Sequence, residues 1–288
     1  MKILLFGAMG QLGSELQRKL SPLGEIAAYD IHNLNLENIR DVRETIRAEN
    51  PSVIVNASAY TAVDQAEKEA DRAFTVNGEI PGLFAEECAR LNAFLIHYST
   101  DYVFDGTKEF PYLEDDSPNP LGVYGKSKLA GEEAIRSGES NYLILRTSWV
   151  YSGNRNSFVT KVLEWARKQE VMSVVSDQVS NPTWARTLAD VTAQLLAKGM
   201  DCLTEHHGLY HVAGVGHASR LEWAKKIIEL DPNKHEQKVQ EIVPAFTSDF
   251  PTPAQRPLFS ALDCSLFQST FEIALPQWED ALRRAMTE

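Results

Sequence analysis

The chain has 288 residues, of which 43% are hydrophobic, and 28 Lys and Arg stand against 40 Asp and Glu for a net charge of −12. That length holds one large or two modest domains with a sizeable core, and the acidic balance excludes nucleic acid and anionic membrane surfaces as partners. Three well-separated cysteines, Cys88, Cys202 and Cys264, exclude a disulfide framework and a CxxC metal site and read as thiols of a reducing cytoplasm. The opening "MKILLFGAMG" has no signal-peptide core, and no stretch approaches the ~18–20 apolar residues of a membrane span. In chain order, "KILLF" (2–6) is a buried strand ending at glycine, and 14–23 has helical spacing, with Leu16, Leu20 and Leu23 on one side. A strand at 25–30, a helix at 39–51 closed by Pro51, a strand at 52–58, a long helix within 72–92 and a strand at 93–100 follow. A further helix begins near 123, and "YLILRTSWVY" (142–151) is a fifth strand.

This alternation predicts right-handed crossovers and a parallel sheet. The strands are apolar throughout, as a sheet covered on both faces requires. Beyond Tyr151 the rhythm weakens: helices are expected at 157–168, 187–198, 219–230 and 275–286, a strand at 208–214, and a proline-rich ordered loop at 244–260. The expected fold is α/β, a Rossmann-type doubly wound parallel sheet with a smaller C-terminal substrate-binding lobe. Residues 1–150, with segments near 183–213 returning to them, form the nucleotide-binding part, and 151–288 form mainly the lobe.

"FGAMGQLG" places Gly7, Gly10 and Gly13 between the first strand and the first helix. Spaced glycines there let backbone approach a pyrophosphate at a helix N-terminus. Asp30 closes the second strand, where an acid accepts from an adenosine ribose hydroxyl and repels a 2′-phosphate. No Arg or Lys follows before Arg40, so this segment favours NADH over NADPH. "VYGKSKLAGE" (123–132) puts Tyr124 and Lys128 at i and i+4 on one helix face, where an ammonium would lower the pKa of the phenol. "HYSTDYVFDG" (97–106) ends the fourth strand with Thr100 and Asp101, and ligands of open parallel sheets sit at such strand ends. Hydroxyl, tyrosine and lysine together suit carbonyl reduction: the tyrosine gives a proton as hydride arrives, the lysine tunes the phenol and holds the ribose, and the hydroxyl bonds the developing alkoxide.

The G-x-x-G-x-x-G spacing and the Tyr-x-x-x-Lys pair resemble the extended short-chain dehydrogenase/reductases. The segments "ILLFGAMGQLGSELQ", "IVNASAYTAVDQAE", "IHYSTDYVFDG", "NPLGVYGKSKLAGE", "LRTSWVYS", "DQVSNPT", "GLYHVAG" and "PTPAQRP" resemble, nearly end to end, the dTDP-4-dehydrorhamnose reductase family within them. The resemblance implies a cytoplasmic NADH- or NADPH-dependent enzyme, monomer or homodimer, reducing the C4 ketone of dTDP-4-dehydro-L-rhamnose for surface polysaccharide. It implies cofactor contacts at Gly10, Gln11, Leu12, Asp30, Leu36, Ala59, Tyr60, Thr61, Tyr98 and Lys128. It implies substrate contacts at Thr100, Asp101 and Trp149, with Tyr124 as acid. Arg256, between the prolines of "TPAQRPLF", is the first choice for a diphosphate cation, and Arg186 after "NPTWA" the second.

Two departures stand out. Asn35 precedes Leu36 where the family commonly has an acid. Some members of the family join subunits through Mg2+, for which Glu15 is a possible acid here, but Arg186 stands where a second would be needed; no metal ligand is expected. Dehydratases of this fold follow the Thr-Asp pair with a glutamate, and here Tyr102 follows. Epimerases usually carry a longer C-terminal lobe. The remaining alternatives are another sugar-nucleotide 4-reductase or epimerase, or a non-catalytic regulatory subunit of the methionine adenosyltransferase type.

Overall fold

A computed structural model describes residues 1–153 and 155–287. Five strands, β1 (Lys2–Phe6), β2 (Glu25–Tyr29), β3 (Val53–Asn56), β4 (Phe94–Thr100) and β5 (Asn141–Thr147), alternate with helices α1 (Gln11–Leu20), α2 (Ile39–Glu49), α3 (Ile80–Leu91) and α4 (Val123–Arg136). After α5 (Phe158–Lys168) come β6 (Val171–Val175), α6 (Ala185–Ala197), β7 (Gly208–His211), α7 (Arg220–Leu230), β8 (Glu241–Ala245) and α8 (Trp278–Ala285).

The main sheet has six parallel strands in the order β7-β5-β4-β3-β1-β2. The alternation of side chains explains its two covered faces. Ile3, Leu5, Val53 and Val55 pack under α1 and α6 with Leu16, Leu188 and Leu195. Leu4, Phe6 and Ile54 point the other way, onto Val42, Ile46, Ile80 and Phe84 of α2 and α3. The chain leaves β1 toward β2 on one side and returns to β3 on the other, so a crevice opens at the carboxyl ends of β1 and β3. A separate core of Tyr151, Val159, Val162, Trp223, Ile227, Trp278 and Leu282 holds the C-terminal elements.

The structure differs from the sequence reading in three places. The fifth strand stops at Thr147 and resumes only as Val150–Tyr151, because Trp149 turns the backbone into the left-handed region with φ 40°. The expected long helix breaks into Ala70–Phe74, a π-helical turn Thr75–Glu79 and α3. The expected loop from 244 begins inside β8, which pairs in parallel with the unanticipated β6, Pro244 opposite Val174. A two-stranded sheet leaves an edge on which proline's missing donor is tolerated.

Candidate active site

A cavity of about 540 Å³ lies at the strand ends, bounded by Gly7, Gly10, Gln11 and Leu12, by Asp30 and Leu36, by Ala59, Tyr60 and Thr61, and by Tyr98, Tyr124 and Lys128. Gly7 has φ +79°, and a Cβ on Gly13 would stand 2.0 Å from the Gly7 carbonyl oxygen. Gly13 therefore does not line the cavity. It lets α1 close on the turn, so that the helix N-terminus, capped by no side chain at Gly10, faces the opening. The side-chain oxygen of Gln11 is buried there without a partner. An exposed helix N-terminus and an orphaned polar atom fit a pyrophosphate-bearing dinucleotide.

At the far end, one Asp30 oxygen takes the His32 N–H at 2.8 Å, leaving the other for a ribose hydroxyl. His32 lines the cavity, whereas Arg40 is turned away onto Glu44 at 2.8 Å. A basic residue that does line it at this end is Arg72, which sequence reasoning missed; it is held by Glu37 at 2.7 Å and lies over the Tyr60 ring.

Tyr124 sits in the first turn of α4, its phenol near enough to Thr100 for that hydroxyl to favour the phenolate. Burial raises the phenol pKa, Thr100 opposes this, and Asp101 adds to it. The expected lowering by Lys128 is not found. The Lys128 Nζ is engaged elsewhere, donating to the Tyr98 carbonyl at 2.7 Å and meeting His97 Nε2 at 3.2 Å. Burial lowers Lys128 itself to about 8, with Glu132 pulling the other way. Tyr98 lends the cavity its ring while its hydroxyl bonds Thr192 inside the core.

Thr100, Asp101, Trp149 and Arg256 stand outside this cavity's lining. Asp101 is buried and accepts from Thr100, Ser180 and Ser260. Burial pushes it up to about 6 while those hydroxyls pull it down. Its carboxylate thus ties the end of β4 to two C-terminal segments rather than opening into the cavity. Trp149 stacks on Trp223 at 5.4 Å with Arg220 3.8 Å from its ring centroid. Arg256 pairs with Asp64 at 2.8 Å and donates to the Tyr102 hydroxyl at 3.3 Å. Arg186 does not face the cleft: α6 packs on α1, so the guanidinium meets Glu15 at 3.1 Å.

Arg220 is a further residue that sequence reasoning missed. Burial lowers it to about 10, Tyr102 and Asp101 favour its charged form and Arg256 opposes it. No carboxylate pairs with Arg220 among the described residues. Its position directly after a Ser that caps α7 carries no functional signal in sequence. Asn77 was missed too. Its amide brackets the Tyr60 backbone, accepting from N at 2.8 Å and donating to O at 3.1 Å, and bonds Ser127 on α4 at 3.0 Å. The π turn aims it; an Asn-Gly inside a helical stretch was the available signal.

Glu15 is shared between Arg186 and Arg18. A carboxylate neutralised by two guanidiniums is a poor ligand for a divalent cation, so its surroundings do not fit Mg2+. Among the described residues no three His, Cys, Asp or Glu side chains come together to hold a metal, and no helix is long and apolar enough to cross a membrane.

A dinucleotide cavity at the switch point of a parallel sheet, with a tyrosine and a lysine of one helix on its wall, defines an oxidoreductase of the short-chain dehydrogenase/reductase type. Residues 1–288 match the model of the RmlD substrate binding domain family, and the chain belongs to that family. It is 42% identical to a dTDP-4-dehydrorhamnose reductase of Salmonella typhimurium across 100% of this chain and 98% of that one. It is similar to the crystal structure of a dTDP-4-dehydrorhamnose reductase from Clostridium acetobutylicum, with TM-score 0.92 and 33% identity over 100% of this chain and 99% of that one. The Bacillus anthracis enzyme of that name, solved in complex with NADP, matches with TM-score 0.90 and 34% identity over 99% of this chain and 98% of that one.

Proposed function

We propose that the chain reduces the C4 ketone of dTDP-4-dehydro-L-rhamnose to dTDP-L-rhamnose with NADH or NADPH, supplying surface polysaccharide synthesis. The observation that carries this is the placement of Tyr124 and Lys128, one turn apart on one helix, on the wall of the dinucleotide cavity, with Arg256 bonded to the Tyr102 whose ring meets Tyr124. The nicotinamide, when bound, supplies the hydride. Tyr124 donates the proton to the ketone oxygen, and its raised pKa keeps it protonated until that moment. Thr100 turns its single O–H from Asp101 to the same oxygen as negative charge develops there. Lys128 holds the nicotinamide ribose. Gly7, Gly10, Gln11 and Leu12 cradle the pyrophosphate, Gly13 lets the helix approach it, and Asp30 takes the adenosine ribose. Leu36, Ala59, Tyr60, Thr61 and Tyr98 wall the cofactor. Asp101 fixes Thr100, Trp149 meets the sugar, and Arg256 with Arg220 binds the substrate diphosphate, which an acidic chain must meet with local cations.

Residues 1–150 with the returning 183–213 form the cofactor half in this reading, and the rest the substrate lobe. Three free thiols, Cys88, Cys202 and Cys264, suit a cytoplasmic enzyme, working as a monomer or homodimer. Tyr102 stands where a dehydratase would hold its carboxylate base, and a phenol bonded by Arg256 does not replace one. The test is turnover: purified protein given dTDP-4-dehydro-L-rhamnose and NADH or NADPH oxidises the cofactor and forms dTDP-L-rhamnose. Cofactor binding without turnover would instead support a regulatory subunit.

A further inference from the structure

His97 and Asn56 face each other across β4 and β3 at paired register positions, and both are fully buried. The Asn56 amide has one possible orientation. Its Oδ1 accepts from the backbone N–H of Ser58 at 3.0 Å and from the Ser58 hydroxyl at 2.6 Å, and a backbone N–H can only donate. The Nδ2 group is therefore the one that meets His97 Nδ1 at 2.9 Å, and Nδ1 must accept. A neutral imidazole that accepts at Nδ1 carries its proton on Nε2. That Nε2–H points at Lys128 Nζ, 3.2 Å away. An ammonium has only donors and no lone pair to receive it; an amine has one.

We propose that Asn56 and His97 are positioning residues that hold Lys128 as a neutral amine, its lone pair receiving the His97 Nε2–H. The amine then spends one N–H on the Tyr98 carbonyl at 2.7 Å and keeps one for a ribose hydroxyl in the cavity. Protonating Lys128 would set two donors against each other along a buried chain whose far end the Ser58 backbone locks. The charged and titratable groups facing the lysine are Glu132 on its own helix, which favours the ammonium, and His97 on β4. Glu132 is itself held by Arg146, so its charge is shared. Burial independently favours the neutral form of both Lys128 and His97. The device deepens the reading of Lys128 as the cofactor-site lysine: an amine poised near its own pKa takes up and releases a proton at working pH, which a permanently charged ammonium cannot do.

Two measurements test this. In the full chain labelled with 15N-histidine, with the His97 signals assigned by their loss in His97→Gln, the proton should sit on Nε2 and Nδ1 should be bare at pH 9, above the value of about 8 to which burial brings Lys128. A proton on Nδ1 overturns the proposal whatever the enzyme's substrate. The second is the pH dependence of NADH binding, read by nucleotide fluorescence and independent of sugar chemistry. Asn56→Asp replaces the donor by a carboxylate, draws the imidazole proton to Nδ1 and frees Nε2 to accept from an ammonium. The Lys128 ionisation should then move up by about one pH unit or more. In a His97→Gln background the same substitution should move it far less. An unmoved ionisation in a folded Asn56→Asp protein, or an equal shift without His97, would also overturn it.

Discussion

The ring of Tyr102 meets the ring of Tyr124 edge to face, with centroids 5.7 Å apart and planes at 78°. At the position after the Thr-Asp pair, the Tyr102 ring thus props Tyr124, the proposed proton donor. Arg256 bonds its hydroxyl, and Arg220 lies close by. Tyr124, proposed above as the proton donor, and Arg256, proposed as a diphosphate cation, thus both meet one aromatic side chain.

Tyr124→Phe keeps the ring contact and removes the phenol. It should cut kcat by about 10²–10⁴-fold, with NADH or NADPH affinity nearly unchanged, as single-turnover and binding measurements would register. Retention of most turnover would remove Tyr124 from the mechanism.

Lys128→Met should weaken cofactor binding and erase an ionisation near pH 8, the value to which burial brings this lysine. An identical pH profile in parent and variant would leave Lys128 a structural role alone.

Asp30 should make NADH at least as good a cofactor as NADPH, and Asp30→Ala should shift the kcat/KM ratio toward NADPH. A strong NADPH preference in the unaltered chain would instead implicate His32 or Arg72, both on the cavity wall. Arg40 is exposed, pairs with Glu44 and does not line the cavity.

Arg256→Ala and Arg220→Ala should each raise KM for the sugar nucleotide while leaving NADH binding alone, and Trp149→Ala should lower discrimination between 6-deoxy and 6-hydroxy sugars. A substrate complex with either guanidinium beyond about 3.2 Å from every phosphate oxygen would refute that arginine's assignment.

Asp101 should carry an inverted stability dependence. Its folded pKa of about 6 lies above the ordinary 3.8, so between those values the folded chain holds a proton that the unfolded chain has released. Its contribution to stability is complete below pH 3.8 and declines as pH rises through 6. Relative to the parent, Asp101→Asn should therefore gain stability across that window, by up to about 3 kcal/mol. Denaturant melts of both proteins at a series of pH values would check this; a constant difference would mean that Asp101 titrates normally.

The strand and helix rhythm of the first half, the glycine turn and the Tyr124–Lys128 spacing were legible in the sequence, because each is set by near neighbours. Burial on both faces writes continuous apolar runs into β1 and β3, the turn writes glycine where a Cβ would meet backbone, and i,i+4 places two side chains on one helix face. Tertiary structure decided the rest. Lys128 turns to His97 and Tyr98 rather than toward the phenol because β4 packs under α4. Arg186 meets Glu15 because α6 lies on α1, while Arg220 reaches Tyr102 from more than a hundred residues along the chain. Trp149 leaves the strand pattern through one left-handed residue, and β6 finds β8 across a long connection. In each case the partner comes from a distant segment, and a contact between distant segments has no periodicity along the chain from which it could be read.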